Sequence, residues 1–137
     1  IILSILLLSS PVIGDNHKGE ILYQWSNCYH TIDGKSIRTE VELCGFVWKG
    51  FGDKGTHAIY QGEVENGVPN GLGVLIHPDG DKYIGGWKDG DYHGQGKFTH
   101  HNGGGTAGEY KDGGLWNGYV ISKYGTIIQK YVNGEKQ

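Results

Sequence analysis

The chain contains no methionine, only two cysteines and no cluster of lysine or arginine anywhere along its 137 residues. Hydrophobic residues make up 36%, against roughly 45–50% in globular domains by a count that also includes glycine. Each shortage excludes something. Without a basic cluster, and with a formal charge of −3 of interspersed sign, there is no electrostatic footprint for nucleic acid or for strong attraction to anionic lipid. With so few apolar side chains a thick core cannot form, and the missing methionine fits a thin sheet filled by rings. No Gly-x-Ser-x-Gly stretch occurs, and no other nucleophile motif stands among Ser, His and Asp. What the chain does have is 26 glycines and a set of aromatics made of nine Tyr, four Trp and three Phe. Average glycine usage is about 7%. A buried ring removes roughly 150–250 Å² from water, so the aromatics must supply most of the buried area.

Ile1 to Leu8 is apolar except for Ser4, and Ser9-Ser10-Pro11-Val12-Ile13-Gly14 follows. The run has the length of a signal-peptide core, with small residues at Val12 and Gly14 that suit cleavage before Asp15. It is shorter than the roughly 20 residues of a transmembrane helix. Residues 1–14 are therefore expected to be a signal peptide lacking its start, and the protein to be exported to the periplasm or cell exterior. Membrane anchoring by the same segment is the alternative. In an oxidising compartment Cys28 and Cys44 are expected to form a disulfide, which on loop length would add about 3 kcal/mol. A two-thiol metal site lacks further ligands at close spacing.

Residues 15–45 are expected to cap a longer array. Ile21-Leu22-Tyr23-Gln24-Trp25 is a strand candidate, Asp33-Gly34 a hairpin turn signal, and Ile37 to Leu43 alternates apolar and charged side chains. Gly50-Phe51-Gly52-Asp53-Lys54-Gly55 matches the Gly-x-Gly-x-x-Gly nucleotide pattern literally. The pattern needs a helix opening at its third glycine, whereas Thr56-His57-Ala58-Ile59-Tyr60 leads into a strand. It is read as a degenerate repeat unit.

The array itself occupies residues 46–137. Tyr60, Gly62, Gly67, Gly71 and Gly73 recur 23 positions later as Tyr83, Gly85, Gly90, Gly94 and Gly96, while Val64 and Leu75 meet Trp87 and Phe98. A period in the twenties marks a repeat array. Each unit reads as strand, tight turn, strand, turn. The turn signals are Asn-Gly at Asn66, Asn70, Asn102, Asn117 and Asn133, and Asp-Gly at Asp79, Asp89 and Asp112. In-strand glycine weakens a strand, and its regular placement predicts that a neighbouring ring lies over each one. A third, divergent unit follows, with Tyr110 where Trp87 stands and one residue inserted before Trp116.

At these residues the chain resembles the MORN (membrane occupation and recognition nexus) repeat family: Tyr60–Lys82 and Tyr83–Asn102 fit its pattern closely, and Thr106–Ile127 with the departures just given. The resemblance covers about Phe46 to Gly134. It implies an all-β fold, an elongated single-layer antiparallel sheet of consecutive β-hairpins. It also implies a module without catalysis or cofactor that mediates protein contacts, with lipid-headgroup binding proposed for some members. The kinase and methyltransferase domains that some members carry have no room here.

The expected function is thus a non-enzymatic scaffold binding a protein partner through an aromatic sheet face. The alternative is a module binding membrane lipid or cell-wall polysaccharide; no nucleic-acid partner is expected. The candidate binding aromatics are Tyr60, Tyr83, Trp87, Tyr92, Phe98, Tyr110, Trp116 and Tyr119. The competing reading makes the same rings the core of a thin sheet, with Tyr92, Trp116 and Tyr119, off the main rhythm, the more exposed. Glu63 and Glu65 read as a solvated face rather than an acid/base pair, since no apolar pocket separates their pKa values. His93, His100 and His101 flank one hairpin, but no carboxylate or thiol lies at a supporting spacing, so no metal is assigned.

Overall fold

The computed structural model describes residues 19–26, 29–32, 35–38 and 46–137. The signal-peptide segment, Cys28 and Cys44 lie outside the described residues. Twelve strands are present among those described: β1 (Glu20–Ser26), β2 (Tyr29–Ile32), β3 (Lys35–Arg38), β4 (Phe46–Lys49), β5 (Ala58–Glu65), β6 (Val68–Ile76), β7 (Lys82–Lys88), β8 (Asp91–Thr99), β9 (Gly105–Lys111), β10 (Gly114–Ile121), β11 (Ile127–Val132) and β12 (Glu135–Lys136). Ten of them form one open antiparallel sheet in the order β12-β11-β10-β9-β8-β7-β6-β5-β1-β4, and β2 and β3 pair as a separate hairpin. Nine strand spacings of about 4.8 Å give the sheet a span of about 43 Å.

The array follows chain order from β5 onward, as the repeat predicts. The amino-terminal end does not. β1 pairs with β5 through Leu22↔Tyr60, and β4 lies on the far side of β1 through Trp25↔Val47. So Phe46, expected to begin the array, begins an edge strand outside β1. Two antiparallel partners for β1 satisfy the backbone on both its sides. The Gly50–Gly55 stretch then crosses back to β5 through a turn in which the Thr56 and His57 amides donate to the Asp53 carbonyl. No helix opens there, which removes the nucleotide-loop reading.

Two registers fix the core. One row of paired residues crosses seven strands on one face: Leu22, Tyr60, Leu75, Tyr83, Phe98, Thr106 and Val120. Beside it on that face runs a row made entirely of glycine: Gly62, Gly73, Gly85, Gly96, Gly108 and Gly118. Six neighbouring strands without a side chain leave a trough, and the rings fall into it. A Cβ on Gly73 would stand 2.3 Å from Tyr60 ring atoms, and one on Gly96 would stand 2.2 Å from the Tyr83 hydroxyl oxygen. The ring-over-glycine arrangement therefore holds at both full repeats.

One edge of the sheet carries two-residue turns at Asn66-Gly67, Asp89-Gly90, Asp112-Gly113 and Asn133-Gly134, all with positive φ at both positions, the backbone of a type I′ hairpin. The opposite edge carries turns of one repeating form. The amides of His77, His100 and Ser122 donate to the carbonyls of Asp81, Gly104 and Thr126. Asn70-Gly71 and Asn117-Gly118, expected as turns, lie inside β6 and β10. Their asparagines reach a neighbouring turn instead: Asn117 Oδ1 accepts from the Asn133 amide at 2.8 Å, and Asn117 Nδ2 donates to Glu109 at 2.8 Å.

Candidate functional site

The predicted aromatic face divides into what is covered and what is not. Tyr60 and Tyr83 are 0% exposed, Tyr110 4% and Trp87 5%. These four rings are core and present no open binding surface. Trp87 packs edge-on against Tyr60 and Tyr83 at 5.0 and 5.3 Å between centroids, and Tyr110 meets Tyr83 at 5.2 Å, separations favoured by the ring quadrupole. Burying one such ring is worth roughly 4–6 kcal/mol before entropy losses, from about 150–250 Å² at about 25 cal/mol per Å². Tyr92, expected to be exposed, stacks on Tyr83 at 3.7 Å and 15° because β8 returns beside β7. Phe98 is also packed against this cluster.

The hydroxyls of the buried tyrosines close the arrangement. Tyr60 Oη donates to the Glu63 carbonyl at 2.6 Å and Tyr83 Oη to the Gly86 carbonyl at 3.0 Å. Both acceptors sit where the register slips by two residues, between Gly62 and Val64 and between Gly85 and Trp87, the extra residues lying on β6 and β8. The bulge turns a carbonyl away from the ladder toward the ring. In the third unit Thr106 replaces the tyrosine, and β10, the counterpart of β6 and β8, carries one extra residue between Leu115 and Asn117. Tyr110 there swings its hydroxyl to 2.5 Å from Thr106 Oγ1. Burial, the largest influence on each, pushes the Tyr60, Tyr83, Tyr92 and Tyr110 hydroxyls well above their ordinary range.

A scan against family models matches the MORN repeat at residues 60–82 and 83–105, the two units whose tyrosine, glycine pair and bulge have just been described. Residues 60–105 are two MORN repeats. No curated protein matches it. MORN repeats are in general non-catalytic binding or scaffold modules that mediate protein or membrane interactions. The search for a site in this one therefore turns to surfaces the repeats leave uncovered.

Two surfaces among the described residues bear on function. The first is the sheet face opposite the rings. A paired row there reads Ile21, Gln61, Val74, Ile84, Lys97, Ala107, Tyr119 and Lys130, with Tyr23, Ile59 and Ile76 in register beside it. Ile21 is 52% and Ile76 48% exposed. Tyr119 is half-buried on this face, lining a groove of about 270 Å³ with Gln95, Glu109, Asn117 and Lys130. Trp116 is half-buried, with the Lys111 ammonium 4.5 Å from its ring centroid.

The second is the edge bearing the longer turns. Asp81 Oδ1 accepts from the His101 amide at 2.8 Å and lies 2.8 Å from His101 Nδ1, while Asp81 Oδ2 is 3.2 Å from His100 Nδ1. The expectation that no carboxylate supports these histidines is corrected. Asp81 is distant in sequence and adjacent across the β7–β8–β9 register. His93 is not part of the group; its nearest charged partner is Asp112 at 3.9 Å. The His101 amide first, then the His101 and His100 rings, hold the Asp81 carboxyl down at about 2. Glu63 and Glu65 do not form an acid/base pair either: Glu63 accepts from the Leu72 amide and Glu65 from the Asn70 side chain.

Proposed function

We propose that this MORN-repeat chain is a non-enzymatic scaffold that holds a protein partner on the sheet face opposite its ring row. The observation that carries this reading is the exposure of Ile21 and Ile76 beside Ile59, Val74 and Ile84 on neighbouring strands. Contiguous uncovered aliphatic area is characteristic of interaction sites. The rings cannot serve in the same way, because the protein has already used them as its core. Lys82 stands beside Ile76, and Lys97 and Lys130 follow Ile84 along the row, which suits a partner with an apolar part and acidic flanks.

The test is comparative capture on immobilised wild-type protein and on Ile76→Asp and Tyr119→Asp variants whose melting is unchanged. A protein retained by the wild type and lost from Ile76→Asp is the expected result. Retention of liposomes or of cell-wall glycan alone, with no protein lost from either variant, would overturn the scaffold reading in favour of a surface-binding module. Export belongs to the same proposal and rests on the Ile1–Leu8 run and the small residues that follow it. Residues 1–18, preceded by an initiator Met and two lysines to complete the signal and fused ahead of a reporter, should direct it out of the cytoplasm, and a reporter retained there would refute export.

A further inference from the structure

We propose that Asp79, Asp81 and His101 form a binding site for a borderline divalent transition-metal ion such as Zn²⁺, joining the turns of two successive repeats. One donor atom from each of the three lies within 4.8 Å of the other two. Bonds of about 2.0–2.2 Å place neighbouring ligand atoms about 3–3.5 Å apart, and opposite ones about 4.2 Å apart. The cluster therefore needs only rotamer-scale adjustment to close on an ion. His100 stands behind it, against the second oxygen of Asp81 at 3.2 Å. Such a partner orients a ligating carboxylate and raises affinity.

The backbone explains why the group is preorganised. The turn from His77 to Asp81 and the turn from His100 to Gly104 are each closed by the same two backbone hydrogen bonds. The ladder between β7, β8 and β9 fixes one turn against the other. Asp79 Oδ1 accepts from the Asp81 amide at 2.9 Å, which sets the first carboxylate beside the second.

The backbone closure of the turn does not depend on these carboxylates. The third turn of the edge, Ser122 to Thr126, has the same backbone closure. It carries Tyr124 where Asp79 stands and Thr126 where Asp81 stands, and Gly104 occupies the Asp81 position in the second. Two of three equivalent turns thus close without these carboxylates, so closure does not account for Asp79 and Asp81. Asp79 caps the Asp81 amide, a place that Ser122 Oγ takes against the Thr126 amide at 3.2 Å in the third turn; the feature without a counterpart there is the approach of Asp81 to an imidazole from the next repeat.

The donor set selects the ion. One imidazole and two carboxylates suit Zn²⁺, Cu²⁺ or Ni²⁺, while Mg²⁺ and Ca²⁺ prefer oxygen alone. The histidine side chains are 51% and 54% exposed and Asp81 is 17% exposed, so an ion can enter from solvent and keep water in its remaining positions. Asp81 is ionised at neutral pH and needs no proton removed to ligate. Occupancy would replace the Asp81–His101 side-chain hydrogen bond with two metal bonds and tie the first repeat to the second.

The experiment is calorimetric titration of chelator-treated, untagged protein with ZnCl₂, beside Asp81→Asn, His101→Ala and His93→Ala variants. Far-UV circular dichroism checks that each variant is folded without metal. One Zn²⁺ per chain should bind, millimolar MgCl₂ should not displace it, and Asp81→Asn and His101→Ala should each weaken it at least tenfold. His93→Ala, outside the cluster, should leave the affinity unchanged. If Asp81→Asn does not fold, Asp79→Asn takes its place with the same expected loss. Weak, multi-site binding insensitive to His101→Ala, or an equal loss in His93→Ala, would overturn the site and leave only scattered surface imidazoles.

Discussion

At the scale of single residues, the glycine beneath each tyrosine is as much a part of the core as the ring. Gly96 pairs with Gly85 and lies under Tyr83, and an added Cβ would collide with the ring from Cε2 to the hydroxyl. Gly96→Val must expel Tyr83 or break register, and overpacking of this kind costs about 1–3 kcal/mol before the lost ring burial is counted. Melting of Gly96→Val should fall sharply, whereas Tyr83→Phe, which loses only the bond to the Gly86 carbonyl, should cost about 1 kcal/mol. A neutral Gly96→Val would remove the ring-over-glycine account. Asp81 makes a second, electrostatic prediction. Its carboxyl is held at about 2 when folded, below the ordinary value near 3.9. A depressed folded pKa contributes stability that is fully present above the unfolded value and is lost as pH falls through the folded one. Between about pH 4 and pH 2 the melting temperature of the wild type should therefore drop more steeply than that of Asp81→Asn. Parallel curves would show that the histidine contacts carry no linkage.

At the scale of elements, what was legible in the sequence is what repeats locally. Tyr60 and Tyr83, their paired glycines and the Asn-Gly and Asp-Gly turns are all fixed by neighbours within one 23-residue unit, so period alone recovers them. Asn117 shows where local signals mislead. Its Asn-Gly dipeptide has turn chemistry, yet the unit is already turned at Asp112-Gly113, and the asparagine instead satisfies the Asn133 amide of the following hairpin. The Asp81–His101 contact was invisible for a related reason, since only the register of β7, β8 and β9 brings those turns together. The outer position of β4 was equally hidden, because nothing in Phe46–Lys49 distinguishes pairing with β1 from pairing with β5. Asn117→Ala should cost about 1 kcal/mol and speed hydrogen exchange at the Asn133 amide specifically. Unchanged exchange there would mean that the asparagine does not staple the two hairpins.

At the scale of the whole molecule, the buried tyrosines couple successive repeats into one unit. Tyr60, Tyr83, Tyr92 and Tyr110 sit on β5, β7, β8 and β9, and burial raises the pKa of each above the ordinary tyrosine value. The folded state thus favours the protonated phenol. A raised folded pKa contributes stability that is fully present below the unfolded pKa near 10 and is lost as pH rises toward the folded one. Tyr60, Tyr83 and Tyr92 then each withdraw about 1.4 kcal/mol per pH unit above 10, about 4 together, and Tyr110 acts in the same direction. A domain of this size has about 5–15 kcal/mol to lose, so the array should unfold within about one to three units above pH 10. Because Trp87 touches Tyr60, Tyr83 and Tyr92, ionisation of one ring loosens the seats of the others, and the transition should be cooperative. Absorbance at 295 nm and far-UV circular dichroism, followed on the same alkaline titration, should report the four buried phenols ionising in the step that abolishes the sheet signal. Full ionisation of all nine tyrosines near pH 10 with the sheet intact would show the rings to be open to water, and would return them to the list of binding surfaces from which their burial has removed them.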